Sequence, residues 1–384
     1  MTASFLKVDD IIDDVRNQIE SDNFAGYDPY DTLNSPFLKP IGKWGKVIAT
    51  QFQKRNPINI RPLLLIKKEI NPKAIGLFLQ AYSKLYRVSP SKELKSKCET
   101  LFSILDASQN KSSTGTSWGY NFEWVSPKKT LPKHYSNVVA TSFVVQGLKE
   151  YFEVFGELRA TELIAEASNY VTKDLHVSKT EIGKCISYSQ IDADFCYNAS
   201  LLASEILAVD YFVNKNKQTE ELIKETVSYV ISRQHSNGSW MYSYDPVKKA
   251  ERRQIDFHQG YILNSLKNIS ELIDYTSDKL EKSLKNGLTF YKKYQFNEAG
   301  QSHWRLPKKW PTDIHNQAQG IITFTLFSDS EQAQNIYLWT INHMYDNQGK
   351  FYYKKYPIYS IKTTFTRWSQ AWMLLALINL KLAK

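Results

Sequence analysis

The stretch "DFHQGYILNSL" at 256–266 is nearly repeated by "DIHNQAQGIITF" at 313–324. Each sets Asp, an apolar residue and His ahead of an apolar run with helical spacing, so one chain opens two helices with the same Asp-x-His. Asp is a favoured N-cap, which accounts for the first residue of each pair. The return of His at the same offset predicts more: a repeated helix pair whose inner members all start at one rim.

Beyond these two stretches the periodicity is helical nearly throughout. Apolar, small-residue-rich runs at 71–86, 136–152, 197–212, 258–273, 316–327 and 368–383 predict six inner helices. More charged runs at 91–108, 157–175, 217–234, 277–294 and 330–345 predict outer helices, and a sixth is expected from 4–20 or 40–54. Aligning the inner starts puts Lys133, Asp194, Asp256, Asp313 and Thr366 in one column, at intervals of roughly 53–62 residues. Two positions on, the column reads Tyr135, Cys196, His258, His315 and Trp368; four on, it reads Asn137, Asn198, Gly260, Gln317 and Gln370. The expected fold is all-α: an α/α toroid of six inner and about six outer helices with short aromatic-rich connectors, an open solenoid being the alternative. Residues 1–60 are expected to form an N-terminal helical segment packed on a toroid domain of 61–384. A closed ring would focus the inner-helix N-termini on one cavity rim.

Composition bounds the function. The 384 residues carry a formal net charge of +10, which favours anionic partners such as an acidic glycan or lipid headgroups. The lysines are scattered with no basic block, which argues against nucleic acid. Three cysteines (Cys98, Cys185, Cys196) make no disulfide framework, and no run approaches a membrane span, so a cytoplasmic setting is expected. Aromatic residues make up 14% of the chain, with 24 Tyr and 9 Trp, more than packing usually needs and suited to lining a sugar or lipid pocket. No nucleotide-binding glycine loop is present, and no cofactor is implied.

The motifs "WGYNFEW" (118–124), "NVVATSFV" (137–144), "DIHNQAQGIIT" (313–323) and "RWSQAWM" (367–373) give a resemblance over roughly 70–384. In them the chain resembles α/α toroid proteins of the prenyltransferase-like and squalene-cyclase-like group associated with surface polysaccharide biosynthesis. That resemblance implies the toroid and points to a glycan or isoprenoid substrate. The Asp-x-Asp-Asp acid motif of squalene-type cyclases is missing, and "DDIID" (9–13) reads as a solvated helix face outside the repeats. The zinc site of protein prenyltransferase β subunits would have counterparts in Asp194, Cys196, His258 and His315. These lie on three repeats without local ligand spacing, so the site reads as metal-free.

The candidate catalytic residues are His258, His315, Asp256, Asp313 and Tyr242, because His titrates near neutrality and a carboxylate fixes its tautomer. Arg252 and Arg367 are candidate carboxylate clamps. Trp118, Trp240, Trp304, Asn198 and Gln317 complete the expected substrate contacts, although "QHSNGSW" (234–240) also reads as a structural turn. The leading expectation is a glycan-active enzyme of surface polysaccharide biosynthesis or modification. Its substrate would be an acidic oligosaccharide or polysaccharide, free or lipid-linked, changed by uronate epimerisation or elimination. Glycoside hydrolysis would draw instead on two carboxylates from Asp194, Asp256, Asp313 and Glu123. A non-catalytic glycan-binding or assembly protein and an isoprenoid enzyme are the alternatives.

Overall fold

A computed structural model describes residues 7–127, 129–192 and 195–383. Thirteen α-helices appear among them. In chain order they are α1 (Val8–Ser21), α2 (Lys43–Gln53), α3 (Pro72–Val88), α4 (Lys92–Ala107), α5 (Val138–Phe155) and α6 (Leu158–Asp174). They continue with α7 (Tyr197–Asn214), α8 (Glu220–Ser232), α9 (His258–Leu272), α10 (Asp278–Phe290), α11 (Ile314–Leu326), α12 (Ser330–Met344) and α13 (Ala371–Leu382).

Helices α3, α5, α7, α9, α11 and α13 touch in sequence, and α13 packs back on α3. The ring is therefore closed, an α/α toroid and not an open solenoid. Composition explains which helices go inside. Along α5, α7 and α13 most side chains are buried, whereas α4, α6 and α8 bury one stripe and leave much of the rest in contact with solvent. Side-chain caps set several starts: Asn71 on α3, Asn137 on α5 and Asp313 on α11 each accept from a backbone N–H of the first turn.

The connectors are aromatic-rich, and several fold as hairpins of two- or three-residue strands, such as Ser243–Asp245 with Ala250–Arg252. Each is braced by a polar side chain reaching back from an inner helix. Thr141 accepts from Trp118 N (3.0 Å), Ser200 from Ile186 N (2.9 Å), Gln259 from Trp240 N (2.9 Å), Gln317 from Ser302 N (2.7 Å) and Gln370 from Phe351 N (3.0 Å). These braces define the structural repeat.

The connector glycines show which helix is the sixth outer one. A Cβ on Gly300 would lie 2.3 Å from the Asn335 carbonyl of α12, and one on Gly349 would lie 2.3 Å from the Asp14 carbonyl of α1. Both have positive φ, 88° and 84°. Thus α1 occupies the place that α12 holds one repeat earlier, and it also packs on α13. The other candidate, 40–54, became α2, which lies off the ring. Residues 24–70 cross the N-terminal mouth of the inner ring, tied to it by the buried ion pair Arg367–Asp28 (2.6 Å) and held together internally by Arg61–Asp31 (2.7 Å).

On the toroid axis Phe143, Tyr261 and Trp372 meet with ring centroids 5.0–5.6 Å apart. Lys73 of α3 lies among them, its ammonium 4.2 Å from the Phe143 centroid and 5.2 Å from that of Trp372. This septum separates the N-terminal mouth from a cavity of about 300 Å³ at the C-terminal mouth, whose walls include Gln80, Gln146, Glu205, Asn264, Gln319 and Asn379.

Candidate active site

The two Asp-x-His pairs fold differently. Asp256 precedes α9, and its Oδ1 accepts from both the His258 backbone N–H (3.2 Å) and the His258 ring Nδ1 (2.5 Å). Its Oδ2 accepts from Gln254 Nε2 at 2.8 Å and pairs with Arg305 Nε at 3.3 Å. Burial alone would raise this carboxyl, but His258 and Arg305 outweigh it and hold it below the ordinary carboxylate value. A carboxylate here accepts from Nδ1–H, which selects the tautomer whose lone pair lies on Nε2. The His258 side chain is 14% exposed, and the Tyr242 ring meets it edge-on at 4.9 Å.

Asp313 caps α11 without touching the ring of its own histidine. Its Oδ1 accepts from the His315 backbone N–H (3.0 Å) and from Trp368 Nε1 (2.8 Å), while Oδ2 lies 3.7 Å from Lys354 Nζ. Burial raises the Asp313 carboxyl and brings Lys354 down to about 7, each opposed by the other. His315 is buried, with Nε2 2.7 Å from the Tyr261 hydroxyl. Burial first, then Lys73 and Arg367, hold it well below the ordinary histidine value, so it is a neutral imidazole. Its Nδ1 is buried with no hydrogen-bond partner among the described residues.

Phe257 packs against both imidazoles, stacked on His258 at 4.2 Å between centroids and tilted against His315 at 4.4 Å. The expected convergence is thus present, but only His258 is part of an Asp–His dyad. Tyr242 lies beside Cys196, and that thiol together with burial raises its phenol well above the ordinary tyrosine value. Tyr242 therefore keeps its proton at neutral pH. Arg252 is exposed, with its guanidinium 4.6 Å from the Tyr242 centroid. Trp304 is half-buried between Arg305 and Lys354, which lie 5.2 and 4.2 Å from its ring.

Several expected substrate contacts are corrected by the geometry. Trp118 and Trp240 are fully buried under the outer helices, each donating its indole N–H to a helix carbonyl, Leu105 O at 3.0 Å and Val230 O at 2.9 Å. They wedge the repeats together and have no exposed face to offer a ligand. Gln317 is consumed as a brace, with both ends of its amide bonded. Arg367 is no free clamp, because Asp28 holds its Nε and one amino nitrogen at 2.6 and 2.8 Å. Asn198 is buried and accepts from Cys196 Sγ at 3.2 Å.

The zinc quartet does not assemble among the described residues. Asp194 lies outside them, burial pushes the Cys196 thiol up to about 11, and the bonded ring nitrogens of His258 and His315 serve Asp256 and Tyr261. No group of three or more His, Cys, Asp or Glu side chains among them could hold a metal ion. In α1 the "DDIID" carboxylates go to Lys381 (Asp9, 2.6 Å) and Arg16 (Asp13, 3.2 Å).

Sequence reasoning missed Arg305, Lys73, Tyr261 and Lys354. A signal existed for two of them. Lys73 interrupts an otherwise apolar inward helix start, and Tyr261 lies one helical turn beyond His258. Arg305 and Lys354 reach the site from connectors, where no periodicity marks direction.

No family model matches the chain, and no curated protein matches its sequence. The fold does have solved counterparts. A possible member of the GH105 family from Klebsiella pneumoniae is similar at a TM-score of 0.67 and 10% identity, covering 99% of this chain and 95% of its own. Cellobiose 2-epimerase from Bacillus thermoamylovorans is similar at a TM-score of 0.63 and 13% identity, covering 80% of this chain and 87% of its own. A GH76 α-mannanase from Bacteroides thetaiotaomicron gives a TM-score of 0.62 at 12% identity, covering 81% and 86%. At these identities the likeness is one of fold, and that fold is the α/α toroid.

Proposed function

We propose that this chain is a carbohydrate-active enzyme that moves a proton at a sugar carbon. The reading is epimerisation or elimination on an acidic saccharide, free or lipid-linked, within surface polysaccharide biosynthesis or modification. One observation supports it: the Asp256–His258 dyad at the mouth of the inner ring, in which the second ring nitrogen, Nε2, has no hydrogen-bond partner among the described residues. His258 Nε2 takes the proton from the carbon beside the carboxylate or carbonyl, and Asp256 stabilises the imidazolium that forms. Tyr242, protonated and in contact with His258, is the candidate acid that returns a proton in epimerisation or protonates the departing oxygen in elimination. Arg252 and Arg305, both exposed beside this dyad, are suited to a carboxylate on the sugar and to the charge that develops on it. The carbohydrate epimerase and mannanase names among the similar folds are in keeping with a saccharide substrate.

The test is solvent-deuterium incorporation into a panel of uronate-containing and neutral saccharides, followed by NMR. Exchange at one sugar carbon by the wild type, lost in His258→Asn with saccharide binding retained, supports the reading. Saccharide binding without exchange or turnover would move the chain to the binding-protein class.

A second reading has its own observation. The environments of Asp256 and Asp313 push their carboxyls in opposite directions, the separation that glycoside hydrolysis uses for its base and acid. Release of a new reducing end, lost in Asp313→Asn, would favour it.

A further inference from the structure

Helix α2 is built inside out. Its polar Thr50 and Gln53 are buried, and Lys46 reaches inward to Glu123 at 3.0 Å. Its apolar residues face away: Trp44 is 65% exposed, Ile48 66% and Phe52 62%. Spaced four apart, these three form one stripe along the helix. The flanking segments extend the patch with Phe37 (58% exposed) and Leu63 (79% exposed). No other stretch of the described residues gathers so many large exposed apolar side chains.

Charge says what this patch fits. Between Asp31 and Glu69 the sequence has no acidic residue, yet it holds Lys39, Lys43, Lys46, Lys54, Arg55, Arg61, Lys67 and Lys68. Among these, Lys39, Lys43, Arg55 and Lys67 are exposed and have no carboxylate partner among the described residues. A second copy of the chain would bring two such cationic faces together about a two-fold axis, which like-charge repulsion opposes. An apolar stripe with a Trp, ringed by lysines, is instead the arrangement that enters a headgroup region, apolar side chains inward and ammonium groups on lipid phosphates. At 11 residues α2 is too short to cross a bilayer and long enough to lie in its surface.

We propose that the α2 face, with Phe37 and Leu63, docks this protein on an anionic lipid surface. Lys46 ties α2 to Glu123 of the connector before α5, and Lys54, one residue past the helix, sets its ammonium 3.7 Å from the centroid of Tyr30 at the N-terminal mouth. Docking would therefore bring that mouth near the bilayer. The inference does not rest on the acid–base reading.

The experiment is flotation of the full chain with phosphatidylcholine vesicles, with and without phosphatidylglycerol, at low and high salt. Binding is expected only to the phosphatidylglycerol vesicles and should weaken with salt. Trp44→Ser/Ile48→Ser/Phe52→Ser should lower vesicle affinity on the order of 100-fold, because three inserted side chains are lost. Lys39→Glu/Lys43→Glu/Arg55→Glu/Lys67→Glu should abolish it. All seven positions are exposed, so both variants should keep the wild-type melting curve, and each tests the face independently of the other. Equal binding to both vesicle types, no binding by the wild type, or undiminished binding by the triple variant would overturn the proposal. So would a wild-type dimer that the triple variant dissociates without any vesicle binding, which would assign the face to a second copy. Failure of the acid–base reading shows separately, in the deuterium exchange of His258→Asn.

Discussion

Replacing Asp256 by Asn tests the dyad with little change of shape. In the wild type the carboxylate fixes the proton on His258 Nδ1 across 2.5 Å and leaves Nε2 as the base. An Asn amide can donate to Nδ1 instead, which moves the ring proton to Nε2 and removes the lone pair that reaction requires. It also removes the charge that steadies the imidazolium. Together these should lower turnover by about 10²–10⁴-fold, the range for losing a positioned general base. Stability should change far less. The Gln254 bond can persist, and Arg305 is 46% exposed and so can return to water. The assay is solvent-deuterium exchange at the sugar carbon, with the His258 tautomer read from ¹⁵N shifts of the ring. Exchange within about 3-fold of wild type, with the ring proton shown to have moved to Nε2, would refute His258 as the base.

Gly349→Ala, which sets a Cβ 2.3 Å from the Asp14 carbonyl at a φ of 84°, should cost about 2–3 kcal/mol in denaturant unfolding; Gly156→Ala, with positive φ but open space, should cost about 1 kcal/mol. Arg367→Met leaves buried Asp28 without its bidentate partner and should destabilise by about 3–5 kcal/mol, a loss that Arg367→Met/Asp28→Asn should partly restore. Lys354 has a folded pKa of about 7, below its unfolded value, so its contribution is present at high pH and is lost as pH falls through about 7; the stability of wild type relative to Lys354→Met should therefore drop by a few kcal/mol between about pH 10 and 7 and level off below. A flat difference across that range would contradict the burial of this ammonium.

The ring was legible because it is written in periodicity. Inner helices such as α5 are apolar on most of their surface and outer ones such as α6 on one stripe, so these two announce their layers in composition alone. The return of polar residues at the helix mouths was legible too, but their purpose was not. Gln317 and Gln370 look like site residues in a column, yet both are spent holding connector backbone, a need that arises only once the connector folds against the helix. The aromatic connectors misled for a related reason. Trp118 and Trp240 are large enough to fill the gap between inner and outer helices, and burial there outweighs display to a ligand. Arg367 was misread because its partner, Asp28, is more than three hundred residues away in a segment with no repeat to place it.

The same braces explain why the two Asp-x-His pairs diverge. His258 lies one residue before its brace, Gln259, whereas His315 lies two before Gln317. One residue turns an α-helix by about 100°, so the position equivalent to His315 on α9 belongs to Phe257, not to His258. The contact of Phe257 with His315 agrees with that assignment. His315 is therefore the residue of the pair placed inward, neutral and bonded to Tyr261, while the offset turns His258 toward the mouth. Substituting His315→Phe, the residue its counterpart already is, should be tolerated. The change gives up one hydrogen bond to Tyr261, whose hydroxyl keeps Lys73 Nζ at 3.4 Å, and it removes a buried Nδ1 that has no partner among the described residues. Stability should stay within about 1–2 kcal/mol of wild type, and exchange within about 10-fold, since no proton transfer is asked of this ring. If a well-folded His315→Phe loses exchange as completely as His258→Asn, the division of labour is wrong and the neutral imidazole on the axis takes part in the chemistry.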